Sequence, residues 1–186
     1  MPRRLLSLVV CVACVSAAVL AQGRIKHHGR STVEFKSDDA LAIVSYDFAQ
    51  QHHDGPWLLL DFAIQAKPRI AIHRDQISLR GPVERIYRLA SQKDFLDDQA
   101  TLNKMKQHAA VLRRPVSGYF TAPVEDAIHF FAWPRTIVQD TFATNLDVVP
   151  AGELLFKNPD GKWAAGEYHL IVNHEKVKVD IPIELK

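Results

Sequence analysis

From Lys176 to Leu185 apolar and polar residues alternate without a break. Val177, Val179, Ile181, Ile183 and Leu185 fall on one side, and Lys176, Lys178, Asp180, Pro182 and Glu184 on the other. Successive side chains of an extended chain point to opposite faces, so this pattern predicts a strand with one buried and one solvated face. Such a strand needs other strands to cover its apolar side. The whole tail from Glu153 to Lys186 reads as strand, turn, strand, turn, strand. Pro182 cannot donate to a ladder, and Lys176 and Lys178 mark the polar face. The last strand is therefore expected at or near a sheet edge.

The rest of the chain supplies the partners. Thr32–Lys36 and Leu41–Phe48 read as strands split by Ser37-Asp38-Asp39, with Val44, Tyr46 and Phe48 sharing a face. Trp57–Ala66 (WLLLDFAIQA) is the most hydrophobic stretch after the N-terminal leader. Leu58, Leu60, Phe62 and Ile64 share one face and Asp61 lies on the other, which predicts a central strand with only one face fully committed to the core. Arg69–Leu79 predicts one bent strand or two short ones, and Glu84–Leu89 a further short strand. Val116–Thr121 reads as another. Thr141–Val149 reads as a strand closed by Pro150-Ala151-Gly152.

One segment changes period. Ser91 to Asp94 fits a capping box, and Phe95, Leu102, Met105, Ala109 and Leu112 recur at helical spacing before Pro115. This predicts one amphipathic helix over about 95–112, its apolar stripe packed on its own sheet. His129–Pro134 (HFFAWP) is a dense aromatic patch, read as a buried wall of the core with His129, Phe131 and Trp133 on one face if extended. Short strands with turns every 8–12 residues or so place the chain in the all-β class, as an antiparallel sandwich with one inserted helix.

The first residues read differently. Arg3-Arg4 followed by the apolar run Leu5–Leu20 predicts a secretory signal peptide over 1–21, cleaved after Ala21. Arg3-Arg4 partly resembles a twin-arginine export signal, but the flanking residues do not complete that motif, so it is the minority reading beside Sec export. An uncut membrane anchor and a lipoprotein cut before Cys14 are weaker readings. Residues 22–30 (QGRIKHHGR) read as a flexible arm, and residues 31–186 as a single domain.

Removing the leader changes the chemistry on offer. The chain has 23 Lys+Arg and 21 Asp+Glu; losing Arg3 and Arg4 leaves 21 against 21, so the mature charge is zero with neutral histidines. That gives no basis for a nucleic-acid partner. Cys11 and Cys14 leave too, which excludes a disulfide, a cysteine nucleophile and a thiolate metal site from the mature chain. An exported domain without disulfides, and without an Asn-x-Ser/Thr sequence, suits a bacterial envelope. There is no Gly-x-Ser-x-Gly elbow, no glycine-rich phosphate loop and no His-Glu-x-x-His. Nine histidines include the pairs His27-His28 and His52-His53. His27-His28 could hold a metal ion loosely, though a solvated N-terminus is the preferred reading there, and His52, His53 and Asp54 could form a surface site, but a pair in a loop needs a further ligand from elsewhere. Paired carboxylates of the glycosidase kind are a matter of spatial spacing, and nothing in the order of residues points to a pair. No catalytic, cofactor-binding or metal-binding residue is assigned at this point.

Ala164-Ala165-Gly166-Glu167-Tyr168-His169-Leu170 resembles the corner of bacterial immunoglobulin-like and fibronectin-type sandwiches, where a glycine and a tyrosine precede the penultimate strand. The resemblance covers about 35 residues. It implies that the Tyr168 hydroxyl bonds the backbone upstream, while Leu170 stands where immunoglobulins carry a cysteine. The expectation is an exported, periplasmic or secreted Ig-like module that is non-enzymatic. It would act in protein binding, adhesion or envelope assembly through a protein partner in the cell envelope, with no membrane span in the mature chain. The alternative is a small-molecule, carbohydrate or metal-ion binding protein using its His-rich loops or the aromatic patch.

Overall fold

The computed structural model describes residues 23–186, so the expected leader and Gln22 lie outside the described residues. Twelve strands run through the described residues: β1 (Arg24–His28), β2 (Thr32–Lys36), β3 (Ala40–Ser45), β4 (Trp57–Ala66), β5 (Ile70–His73), β6 (Ile77–Arg80), β7 (Ile86–Arg88), β8 (Val124–Ile128), β9 (Thr141–Thr144), β10 (Val149–Lys157), β11 (Gly166–Asn173) and β12 (Lys178–Leu185). Strands make up 44% of the described residues, which is consistent with the all-β class. Helices are α1 (Asp47–Gln51), α2 (Gln92–Asp97) and α3 (Gln99–Leu112).

The large sheet has the order β1-β2-β3-β4-β10-β8, the second sheet β12-β11-β6-β7, and β5 pairs with β9 alone. All pairings are antiparallel except β8 with β10. The alternating tail behaves as its pattern demands. Val179, Ile181, Ile183 and Leu185 are buried, the residues between them are not, and β12 stands at the edge of its sheet. The sheets meet at a corner, where Leu89 bridges to Phe156 and Ala90 N–H donates to Leu155 O at 2.9 Å.

Several expectations are corrected. Arg24–His28 is not a loose arm but a strand in register with Lys36–Thr32. Its backbone pairs although its side chains are mostly exposed, because ladder bonds need no apolar pattern. The strand expected to reach Phe48 ends at Ser45, and the chain turns into α1. Asp47 there accepts hydrogen bonds from the Ser31 and Ser45 hydroxyls, while Phe48 and Ala49 are buried. Of the two readings of residues 69–79 the structure takes the second, two short strands, which lie in different sheets and are split by a 3-10 turn at Arg74–Gln76 in which the His73 side chain caps Asp75 N–H. Val116–Tyr119 is a 3-10 turn rather than a strand. The strand from Thr141 stops at Thr144, since Asn145 Oδ1 captures the N–H groups of Asp147 and Val148. Pro150-Ala151-Gly152, expected as a terminator, lies inside β10. Pro150 is tolerated near the strand's start, and Gly152 is required where β8 crosses, since a Cβ there would lie 2.4 Å from Ile128 O.

The inserted helix is two helices. Ser91 Oγ accepts from Asp94 N–H at 3.0 Å as expected of the cap, and the Ser91 hydroxyl in turn donates to the Asp94 carboxylate. The chain breaks at Asp98, whose carboxylate accepts from Trp57 Nε1 at 3.0 Å and pairs with Lys157 Nζ at 3.0 Å. Phe95, Leu102, Met105 and Ala109 are buried, so the apolar stripe packs inward. It packs on the large sheet. Trp57, Leu59 and Asp61 of β4 share a face with their register partners Lys157, Leu155 and Glu153 of β10, and that face meets the helices. The other face, with Leu58, Leu60, Phe62 and Ile64, joins the common core with the inward side of the second sheet. Strand β4 is therefore buried on both faces, not one, and Asp61 is covered by the end of α3.

Candidate functional site

The helix-covered face of the large sheet carries two carboxylates where only apolar groups would be expected. Asp61 interrupts WLLLDFAIQA, and Glu153 opens ELLF. The two are direct register partners on β4 and β10, so both project toward α3. Side chains of cross-strand neighbours sit about 5 Å apart, and at an effective dielectric near 20 two unit charges at that distance repel by about 3 kcal/mol. The pair needs cations to exist.

Helix α3 supplies them. Lys106 and Arg113 are seven residues apart, two turns on one face of the helix. Arg113 is the helix C-cap. Its Nη2 donates to Glu153 Oε1 and lies 2.6 Å from Asp61 Oδ1 in an ion pair, one nitrogen between both acids. Lys106 Nζ lies 3.1 Å from Glu153 Oε2, without the alignment of a hydrogen bond, and 4.1 Å above the Trp133 ring. Glu153 Oε2 is therefore a buried carboxylate oxygen with a nearby charge and no hydrogen-bond donor. The next residue, Arg114, turns its Nε toward Asp47 at 3.6 Å.

These groups line a cleft of about 320 Å³ between the end of α3, the β4–β10 ladder and the aromatic segment. That volume is at the small end of ligand pockets. Asp61, Glu153, Lys106 and Arg113 form its charged floor and wall, and Trp133 and His129 its aromatic side. Asp126 approaches His129 Nδ1 at 3.9 Å on the rim.

Burial pushes the Asp61 carboxyl up to about 6, against the opposing pull of Arg113, with the charges of Glu153 and Asp47 adding to the rise. For Arg113, burial works against the charge, but the two carboxylates outweigh it and hold the guanidinium above its ordinary value. A carboxyl with so altered an affinity for protons, set in a cleft, is the kind of group that marks functional sites, though buried ion pairs of purely structural kind share the property.

The residues singled out from the sequence are scattered. His52 stacks on Phe48 at 4.6 Å, and His53 Nδ1 lies 3.2 Å from Ala49 O. Both serve the end of α1, and Asp54 joins neither in a cluster. His28 Nε2 pairs with Glu34 at 2.8 Å across β1 and β2. Among the described residues no group of three or more His, Cys, Asp or Glu is placed to hold a metal ion. No described helix is long and apolar enough to cross a membrane. The aromatic patch is buried as expected, but as loop rather than strand. Phe131 and Trp133 pack on Phe95 at 5.5 and 4.8 Å, while His129 turns to the cleft. Tyr168 is buried, and its hydroxyl donates to Ala164 O at 3.0 Å. Its ring fills the space beside Gly81, where a Cβ would come within 2.9 Å of it.

Asp61 and Glu153 escaped the sequence reading because their significance is mutual. Each is a lone acid in an apolar run, 92 residues from the other, and only the β4–β10 register brings them together. Set beside known proteins, the chain matches no family model, no curated protein and no solved structure.

Proposed function

We propose that this is an exported, non-enzymatic binding protein built on an Ig-like β-sandwich, and that it takes a small ligand in the cleft between α3 and the β4–β10 ladder. The observation that carries the reading is the cleft itself, where two largely buried carboxylates meet the partly exposed cations of α3 and one buried carboxylate oxygen accepts no hydrogen bond. A fold that serves only its own stability gains little from such an arrangement, since apolar residues of similar volume often do as well or better. The hydroxyl bond of Tyr168 supports the Ig-like reading, and the apolar leader supports export.

Trp133 borders the cleft, so its fluorescence reports occupancy. Titrating the protein with panels of sugars, small amines and small carboxylic acids, with thermal melting as a second readout, tests the proposal. A saturable fluorescence change that raises the melting temperature, and is lost in Arg113→Ala, is expected. Silence from every panel sinks it.

A second reading, a protein-binding or adhesion module, is favoured by the β6–β7 hairpin. Val83 at its tip is 96% exposed with φ of 57°, a conformation costly for a β-branched residue, and Ile86 on the edge strand β7 is also exposed. Crosslinking in the cell envelope that is lost on Val83→Gly with Ile86→Ser would support that surface as the working one.

A further inference from the structure

Lys106 holds an unusual position for a helix lysine. Its ammonium lies between a buried carboxylate oxygen of Glu153 at 3.1 Å and the face of Trp133 at 4.1 Å. A carboxylate beside an aromatic face is the combination that recognises an ammonium ion, through charge and through the ring's quadrupole. The two sides of this arrangement differ in fixity. Glu153 is 7% exposed and Trp133 8%, both held in the core, whereas Lys106 is 38% exposed on a flexible four-carbon stem. The recognising groups are built in, and the cation sits on a partly exposed side chain.

The local charge makes the same point. Arg113 is a single cation shared by Asp61 and Glu153. When Lys106 swings away, the floor of the cleft carries two acids against one guanidinium, a net negative charge in a poorly solvated place. Glu153 Oε2, which accepts no hydrogen bond, lies 3.1 Å from the position the ammonium would vacate. Arg114 is turned to Asp47 and does not replace Lys106.

We propose that the cleft is an ammonium-recognition site: Glu153 and Trp133 hold the cationic head of a small organic amine, and Lys106 occupies that position in the free protein. This rests on the small-ligand reading above and names its ligand class. Lys106 then acts as a tethered competitor. Binding requires its ammonium to leave, so the site discriminates against weak cations and releases its ligand readily.

The probe is n-butylamine, which matches the lysine stem and head and is protonated at pH 7, with n-butanol as the neutral control, at constant ionic strength. Trp fluorescence and calorimetry should show saturable binding of the amine and none of the alcohol. Lys106→Met removes the competing charge while keeping the stem, and should tighten amine binding at least tenfold. Glu153→Gln should abolish it, and Trp133→Phe, which keeps a weaker ring, should lower it severalfold with the fold intact. If Lys106→Met binds no better than the unaltered protein, or if the unaltered protein ignores n-butylamine while Lys106→Met takes it up, the lysine is a permanent part of the wall and the proposal fails. If amines do nothing but a sugar or acid binds in the cleft, this inference falls and the small-ligand reading stands; if nothing binds, both fall.

Discussion

Replacing Asp61 by asparagine separates the cost of burying a charge from the benefit of its ion pair with Arg113. The Asp61 carboxyl titrates at about 6 rather than 3.8, because burial outweighs the guanidinium. At 1.36 kcal/mol per tenfold change in proton affinity, the ionised form is disfavoured in the fold by about 3 kcal/mol relative to the protonated form. The folded state holds the proton more tightly, so between about pH 4 and pH 6 it binds more protons than the unfolded chain. The Asp61 contribution to stability is therefore full below about pH 4, falls as pH rises toward about 6, and is lost above it. Asparagine has the shape of the protonated acid and can still accept from Arg113, which keeps Glu153 as its ionic partner. Asp61→Asn is expected to match the unaltered protein near pH 4 and to exceed it by about 2–3 kcal/mol at pH 7. Urea unfolding of both proteins at intervals from pH 4 to 8 measures this. Only the difference between them is diagnostic, since every other carboxylate titrates in both. A variant that is destabilised, and more so at pH 7 than at pH 4, would refute the reasoning, for it would mean that the Arg113 attraction wins.

Gly152→Ala should cost about 2–3 kcal/mol in chemical denaturation, because its methyl group meets the backbone oxygen of Ile128 rather than a side chain that can move. Tyr168→Phe, which removes only the bond to Ala164 O, should lower stability by about 1 kcal/mol and leave the circular dichroism spectrum unchanged. Ser91→Ala should cost about 1 kcal/mol by uncapping α2, with hydrogen exchange accelerated first at the N–H of Asp94. Phe95→Ala should be the most damaging of these, about 3–5 kcal/mol, since its ring contacts both Phe131 and Trp133 and its loss opens a cavity beneath the cleft.

The elements legible in the sequence are those whose periodicity is unambiguous. The alternation of 176–185 placed β12 and its buried face, and Pro182 with the lysines placed it at an edge. Ser91 marked the start of the helical segment and Pro115 its end, but the break at Asp98 was hidden. Nothing in a helical pattern reveals that an aspartate will be drawn aside by an indole N–H 41 residues earlier and a lysine 59 residues later. The arm over Arg24–His28 failed for the opposite reason. Its polar composition argues against burial, yet a strand at a sheet edge forms by backbone pairing and buries little. Asp61 was the misleading signal. A charge in an apolar strand ordinarily means a solvated face, whereas here it means a buried ion pair.

By itself the sequence determined the all-β class, the faces of the most regular strands and the absence of any cysteine beyond Cys14. Those are properties of composition and of local period, which a chain carries without reference to its fold. The tertiary structure alone decided that β10 joins β4 and that α3 lies across them. That decision puts Asp61, Glu153, Arg113, Lys106 and Trp133 around one cleft. Charge–charge and cation–ring interactions act over a few ångströms of space, whatever the separation along the chain, so the site exists only once the strand register is set.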